Sequence, residues 1–199
     1  MSELSLTQDE QDVLQELMNI AYGDATAVVA EMLDAFATLS IPNIRLIETS
    51  ALLHELKGLE GESYFFSTQA FNGMFSGESA FFIDTQSACN LAKHLDLEND
   101  EDLDDAILEL TNVLTSSLTI RLAQEMNAEI KFSLPSINKL PYNKIQTNKT
   151  LQEYSQVIVI DTEINFKDQK INGEIFILTK DGSIKWLKNQ LSSILEALM

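Results

Sequence analysis

Apolar residues recur every three or four positions in two long stretches of the chain and gather into short runs elsewhere. From about Gln8 to about Ala37, Leu14, Leu17, Ala21, Ala25, Val28 and Met32 form one stripe of helical period, which predicts a long helix. Thr7 and Glu10 supply a capping box at its start, a hydroxyl acceptor with a carboxylate three residues later. Pro42 cannot continue a helix, and the residues after it read as strand or turn. Ser63 to Phe71, rich in aromatics and small β-formers, predicts a strand. Asn72-Gly73 predicts a two-residue hairpin turn, and Met74 to Ile83 the returning strand, with Gly77 marking a bulge or bend. Ser87 is placed to cap a short helix carrying Leu91 and Leu95.

The same succession then repeats. The acidic run Leu97 to Asp105 joins the halves and leads into a second long helix, from about Leu103 to about Met126, with Ile107, Leu110, Leu114 and Leu118 as its stripe. Carboxylates at a helix start meet the positive end of its dipole. Beyond Pro135, Val157 to Ile160 predicts a buried strand, Ile164 to Phe166 and Ile171 to Leu178 a further hairpin, and Ser183 the start of a helix with Leu187 and Leu191. An offset of 93 residues lays Asp12, Glu16, Asn19, Ser40, Pro42 and Ile44 on Asp105, Glu109, Asn112, Ser133, Pro135 and Ile137. An offset of 96 lays Gly77-Glu78 on Gly173-Glu174, and Ser87, Leu91 and Leu95 on Ser183, Leu187 and Leu191. Coincident amphipathic helices would match the leucines but not the prolines and Gly-Glu pairs in the same order. The expected organisation is an internal duplication with pseudo-twofold symmetry: a first repeat over 1–96, an acidic connector over 97–104 and a second repeat over 105–199, folded as one compact domain.

Composition narrows the function classes. The chain of 199 residues is 45% hydrophobic against 22% charged, enough for a sizeable core and unlike a disordered chain. Its formal net charge of -18 repels nucleic-acid phosphates and anionic lipid, and no basic patch offsets it. Cys89 is the only cysteine, which excludes an intrachain disulfide. The first ten residues lack the pattern of an export signal, and no apolar run reaches the roughly 18 residues of a spanning helix. A cytoplasmic protein with no membrane insertion is expected. His54 and His94 belong to no metal-like cluster, so no metal site is expected. Cys89 is expected in or near the core, as are Phe65, Phe66, Phe81, Phe82 and Trp186. Gly58 and Gly61 fall in a loop with no phosphate-binding cradle around them.

Chemistry concentrates on the two long helices. With Asp12 at zero and about 100° per residue, Glu16 falls near 40° and Asn19 near -20°, one narrow face opposite the apolar stripe. Asp105, Glu109 and Asn112 have the same geometry. A solvated acid on a helix needs no function. Asparagine within a helix competes with the backbone for hydrogen bonds, so a repeated one beside a glutamate calls for a reason. A carboxamide offers a donor and an acceptor without charge, which suits it to orient water beside an anionic phosphoryl group.

Both segments resemble the active-site signature of the CheC, CheX and FliY phosphatases: an acidic residue or Ser, three residues, Glu, two residues, Asn, twenty-two residues, Pro. It stands here as Asp12, Glu16, Asn19 and Pro42, and again as Asp105, Glu109, Asn112 and Pro135. The resemblance implies an α/β fold with a CheC-like mixed sheet and the two signature helices packed on it. It implies a phosphatase that hydrolyses the phospho-aspartate of a CheY-like response regulator. Asn19 and Asn112 would align the water, and Glu16 and Glu109 would contact the regulator's active-site lysine. Asp12 and Asp105 would support partner binding, and Pro42 and Pro135 would be structural. No cofactor is implied for this chain; Mg²⁺ belongs to the regulator. Two signatures in one chain favour CheC over CheX, which carries one and dimerises, and over FliY, which adds a flagellar switch domain. The alternative is a non-catalytic adaptor that holds a phosphorylated regulator or the receptor deamidase CheD. Between the copies Tyr22-Gly23 aligns with Thr115-Ser116, and a mid-helix glycine costs about 1 kcal/mol relative to alanine.

Overall fold

A computed structural model describes residues 6–32, 37–39, 43–55, 63–125, 127–141, 154–166, 169–179 and 181–198. In chain order the elements are α1 (Gln8–Met32), β1 (Ala37–Leu39), β2 (Asn43–Glu48), α2 (Thr49–Glu55), β3 (Ser63–Gly73), β4 (Gly77–Asp84), α3 (Thr85–His94), α4 (Asp100–Glu125), β5 (Ile130–Phe132), β6 (Ser136–Pro141), β7 (Gln156–Phe166), β8 (Gln169–Thr179) and α5 (Asp181–Leu198). Pro42, Gly58 and Gly61 lie outside the described residues.

The strands form one eight-stranded sheet in the order β1-β7-β8-β4-β3-β5, with β2 also on β7 and β6 also on β3. All its pairings are antiparallel. The outer pairings cross between halves. β2 lies on β7 with Asn43 opposite Asp161, and β6 lies on β3 with Ser136 opposite Thr68, the same register moved by 93 residues at each strand. The central β4–β8 pairing is likewise symmetric: Gly77 faces Thr179 and Ile83 faces Gly173.

Alternation along the strands divides the core into two layers. Phe65, Phe71, Phe81, Ile83, Ile158, Ile175 and Ile177 pack against α1, α3, α4 and α5. Phe66, Phe82, Val157, Val159, Phe176 and Leu178 form the opposite face with Leu52 of α2. The aromatic residues expected in the core are buried, with Trp186 partly so against Phe75. The expected α/β architecture with two long helices on a sheet is the one observed, and the sheet is antiparallel rather than mixed among the described residues.

Several local expectations are corrected. The first helix does not reach Ala37, which opens β1. Val28 is exposed and Val29 is buried in its place. The buried positions Met18, Tyr22, Ala25 and Val29 wind around the helix relative to Leu14 and Leu17, because packed helices that cross meet along a seam oblique to their axes. Asn72-Gly73 is no turn: both residues extend β3, where they pair with Lys131 and Ile130 of β5. A Cβ on Gly73 would lie 2.1 Å from the Glu129 carbonyl oxygen, so close strand approach rather than turn geometry requires glycine there. Gly77 marks no bulge; it opens β4 in register with Phe71 and Thr179. Asp84, not Ser87, caps α3: its carboxylate accepts the Ser87 N–H at 2.7 Å and the Ser87 hydroxyl at 2.8 Å. Cys89 is exposed, because the buried positions of α3 are Ser87, Ala88 and Leu91 and Cys89 points away from all three. The acidic run contributes its second part to α4, which begins at Asp100.

Candidate functional site

The α1 capping box forms as the sequence predicts. The Thr7 N–H donates to Glu10 Oε2 at 2.7 Å, and the Glu10 N–H to Thr7 Oγ1 at 3.2 Å. The Ser192 hydroxyl of α5 donates to the other Glu10 oxygen at 2.7 Å, fixing the start of α1 against the last helix. Burial pushes the Glu10 carboxyl up, but the Ser192 and Thr7 hydrogen bonds and the charge of Lys188 outweigh it and hold the group below its ordinary value.

From this anchored start, α1 carries Asp12, Glu16 and Asn19 along its outer face. Asp12 and Glu16 are exposed and Asn19 is half-buried. On α4, Asp105 and Glu109 are exposed and Asn112 is half-buried. Each trio shares one helix face as its spacing requires. Glu16 and Glu109 form no hydrogen bond or ion pair among the described residues. Among those residues no three His, Cys, Asp or Glu side chains could hold a metal ion, and no helix is long and apolar enough to cross a membrane. Pro135 lies between β5 and β6, past the end of α4.

The two asparagines are held differently. Asn19 Oδ1 accepts from Gln15 Nε2 at 2.9 Å, one turn earlier on the same helix. Asn112 Oδ1 accepts at 2.8 Å from Nε2 of Gln69, which stands on β3 beneath α4. Gln69 Nε2 also donates to the Ser133 carbonyl oxygen at 3.0 Å. Ser133 is itself tied to β3: its N–H donates to the Ala70 carbonyl at 2.9 Å, and its hydroxyl accepts the Ala70 N–H at 3.1 Å. The next residue, Leu134, is 91% exposed on this pinned loop.

Small polar side chains bring α4 this close to the sheet. Thr111 shares a hydrogen bond with Ser67, and Thr115 donates to Ser79 at 3.0 Å. The Thr111 and Thr119 hydroxyls also close back on the carbonyls of Ile107 and Thr115 at 2.7 and 2.6 Å, so these hydroxyls are satisfied inside the core. Moved by 93 residues, Thr111 and Thr115 correspond to Met18 and Tyr22 of α1, so the polar seam belongs to α4.

Sequence reasoning singled out the two trios and missed Gln15, Gln69 and Ser133. A signal for Gln69 was present. Phe65, Ser67, Gln69 and Phe71 alternate onto the buried face of β3, and a glutamine in an inward register needs a partner.

No family model matches the chain. A curated relative, the "CheY-P phosphatase CheC" of Bacillus subtilis (strain 168), is 24% identical over 190 residues, covering 87% of this chain and 89% of the relative. The crystal structure of Thermotoga maritima FliY superposes with a TM-score of 0.76 at 17% identity, covering 94% of this chain and 98% of that one. A chain of the CheX–CheY–BeF₃–Mg²⁺ complex from Borrelia burgdorferi gives a TM-score of 0.51 at 15% identity, covering 82% and 97%. The chain is thus similar in sequence to a CheC and in fold to FliY and to a chain of the CheX–CheY complex.

Proposed function

We propose that this protein is a phosphatase of a CheY-like response regulator, with one site on α1 and a second on α4. The observation that carries this reading is the Glu–Asn pair presented twice, each glutamate exposed and unpaired among the described residues, each asparagine half-buried and held by a glutamine amide. The names of the CheC relative and of the CheX–CheY complex support the same partner class.

The chemistry asked of the chain is positional. Hydrolysis of an acyl phosphate needs an in-line water and stabilisation of equatorial charge, with no covalent enzyme intermediate. One lone pair of Asn112 Oδ1 is taken by Gln69, which leaves the second lone pair and the Nδ2 donors for water and a phosphoryl oxygen. Asn19 is in the same condition towards Gln15. Glu16 and Glu109 pair with the regulator's active-site lysine, and Asp12 and Asp105 add attraction around it. The regulator brings the phosphorylated aspartate and its Mg²⁺; the residues of this chain supply orientation and charge. The two halves act as copies of one unit within a single compact domain, in the cytoplasm where such a regulator is found.

The test is the decay of a ³²P-labelled cognate regulator in Mg²⁺, with and without the protein. Wild type should accelerate decay, Asn19→Ala and Asn112→Ala should each remove part of the acceleration, and the folded double variant should remove it. Binding of the phosphorylated regulator with unchanged decay would instead leave an adaptor.

A further inference from the structure

Gln69 is 2% exposed on the inward face of β3. Its amide group has only one orientation compatible with its neighbours. The Ser133 carbonyl can only accept, so the atom facing it at 3.0 Å must be Nε2. The same Nε2 lies 2.8 Å from the Asn112 carboxamide, which must therefore present its oxygen. The backbone of Ser133, pinned in turn to Ala70, thus sets which way round the Asn112 side chain sits. Gln69 Oε1 is buried without a hydrogen-bond partner among the described residues. An orphaned acceptor in a core is costly, and here it accompanies an amide nitrogen that donates twice.

We infer that Gln69 is a positioning residue for phospho-aspartate hydrolysis at the α4 site, fixing the orientation of Asn112 through a hydrogen bond from the sheet; this rests on the phosphatase reading. Among the described residues the role is not duplicated at the α1 site. The residue at the corresponding place in β7 is Thr162, and Asn19 is held instead by Gln15 of its own helix. Gln69 also joins the asparagine to the loop carrying Leu134, so the reacting group and the rim beside it keep a constant spacing.

Gln69→Met keeps the length of the side chain and removes both donors. Its effect should be read in two backgrounds, using saturating phosphorylated regulator to separate kcat from KM. In Asn19→Ala, where only the α4 site works, Gln69→Met should lower kcat about tenfold with little change in KM. In Asn112→Ala, where only the α1 site works, it should leave kcat within about twofold. In the otherwise wild-type protein, the side-chain amide of Asn112 should also lose its NMR order parameter on the same substitution, independently of any rate. Equal loss of kcat in both backgrounds, or an unchanged order parameter at Asn112, would overturn the positioning role while leaving the phosphatase reading intact. No acceleration of decay by the wild-type protein would overturn that reading, and the catalytic role of Gln69 with it.

Discussion

At the scale of single residues, the two asparagines differ in what immobilises them. Gln15 and Asn19 form a pair one turn apart on a helix surface, an interaction worth about 0.2–0.5 kcal/mol. Gln69 reaches Asn112 from a buried strand position, where a hydrogen bond is stronger and its loss more costly. Gln15→Ala in the Asn112→Ala background should therefore slow regulator dephosphorylation by less than about threefold. A tenfold loss there would mean that a surface brace matters as much as a buried one. The shared face of each glutamate and asparagine was legible in the sequence because both lie on one helix, where spacing alone sets the face. The inward register of Gln69 was legible too, but its link to Asn112 was not, because that partner lies 43 residues away and only the fold brings the two together. Ser87 and Val28 failed for a smaller reason: the neighbours Asp84 and Val29 were equally suited by type, and packing chose between them.

At the scale of elements, the start of α1 shows how one carboxylate ties a helix to its surroundings. Glu10 closes the capping box with Thr7 and accepts from Ser192, so it joins the first and last helices. Its folded-state pKa lies below the ordinary 4.5, so the folded state favours the ionised form. The resulting stability is present above the unfolded pKa and is lost as pH falls through the folded one. Glu10→Gln should lower stability by about 1 kcal/mol at pH 7, and the gap from wild type should shrink below about pH 4.5. Urea midpoints measured from pH 7 downwards would check this; a gap constant with pH would show that the charge of Glu10 contributes nothing. The capping box was readable because it is local. The Asn72-Gly73 hairpin was misread because its turn chemistry is real but overridden: β5 needs the edge of β3, and the chain turns directly afterwards, over 74–76.

At the scale of the whole molecule, repetition in the sequence becomes exchange in the structure. The outer strands of each half are paired in the opposite half: β1 and β2 lie on β7, while β5 and β6 lie on β3. The long helix of the second half rests on β3 and β4 of the first, through Thr111 and Asn112 against Ser67 and Gln69 of β3 and Thr115 against Ser79 of β4. The offset of 93 residues could be read from the sequence, but not this exchange, since a repeat reveals likeness and not which copy pairs with which. The exchange has a consequence for cutting the chain. A break at Asn99, exposed between α3 and α4, leaves covalent structure within each half intact. It would nevertheless strip β3 of β5 and β6, β7 of β1 and β2, and separate β4 from β8, leaving an unpaired edge on each of β3, β4, β7 and β8. Neither fragment, 1–98 or 99–199, should show a cooperative unfolding transition alone, and an equimolar mixture should recover one, read by circular dichroism. Activity follows the same logic, because Asn112 comes from one fragment and Gln69 from the other. The mixture should dephosphorylate the regulator at the α4 site, and fragment 99–199 alone should not. A folded, active second fragment would show that Asn112 needs nothing from the first half, and that the crossed strands are packing without functional weight.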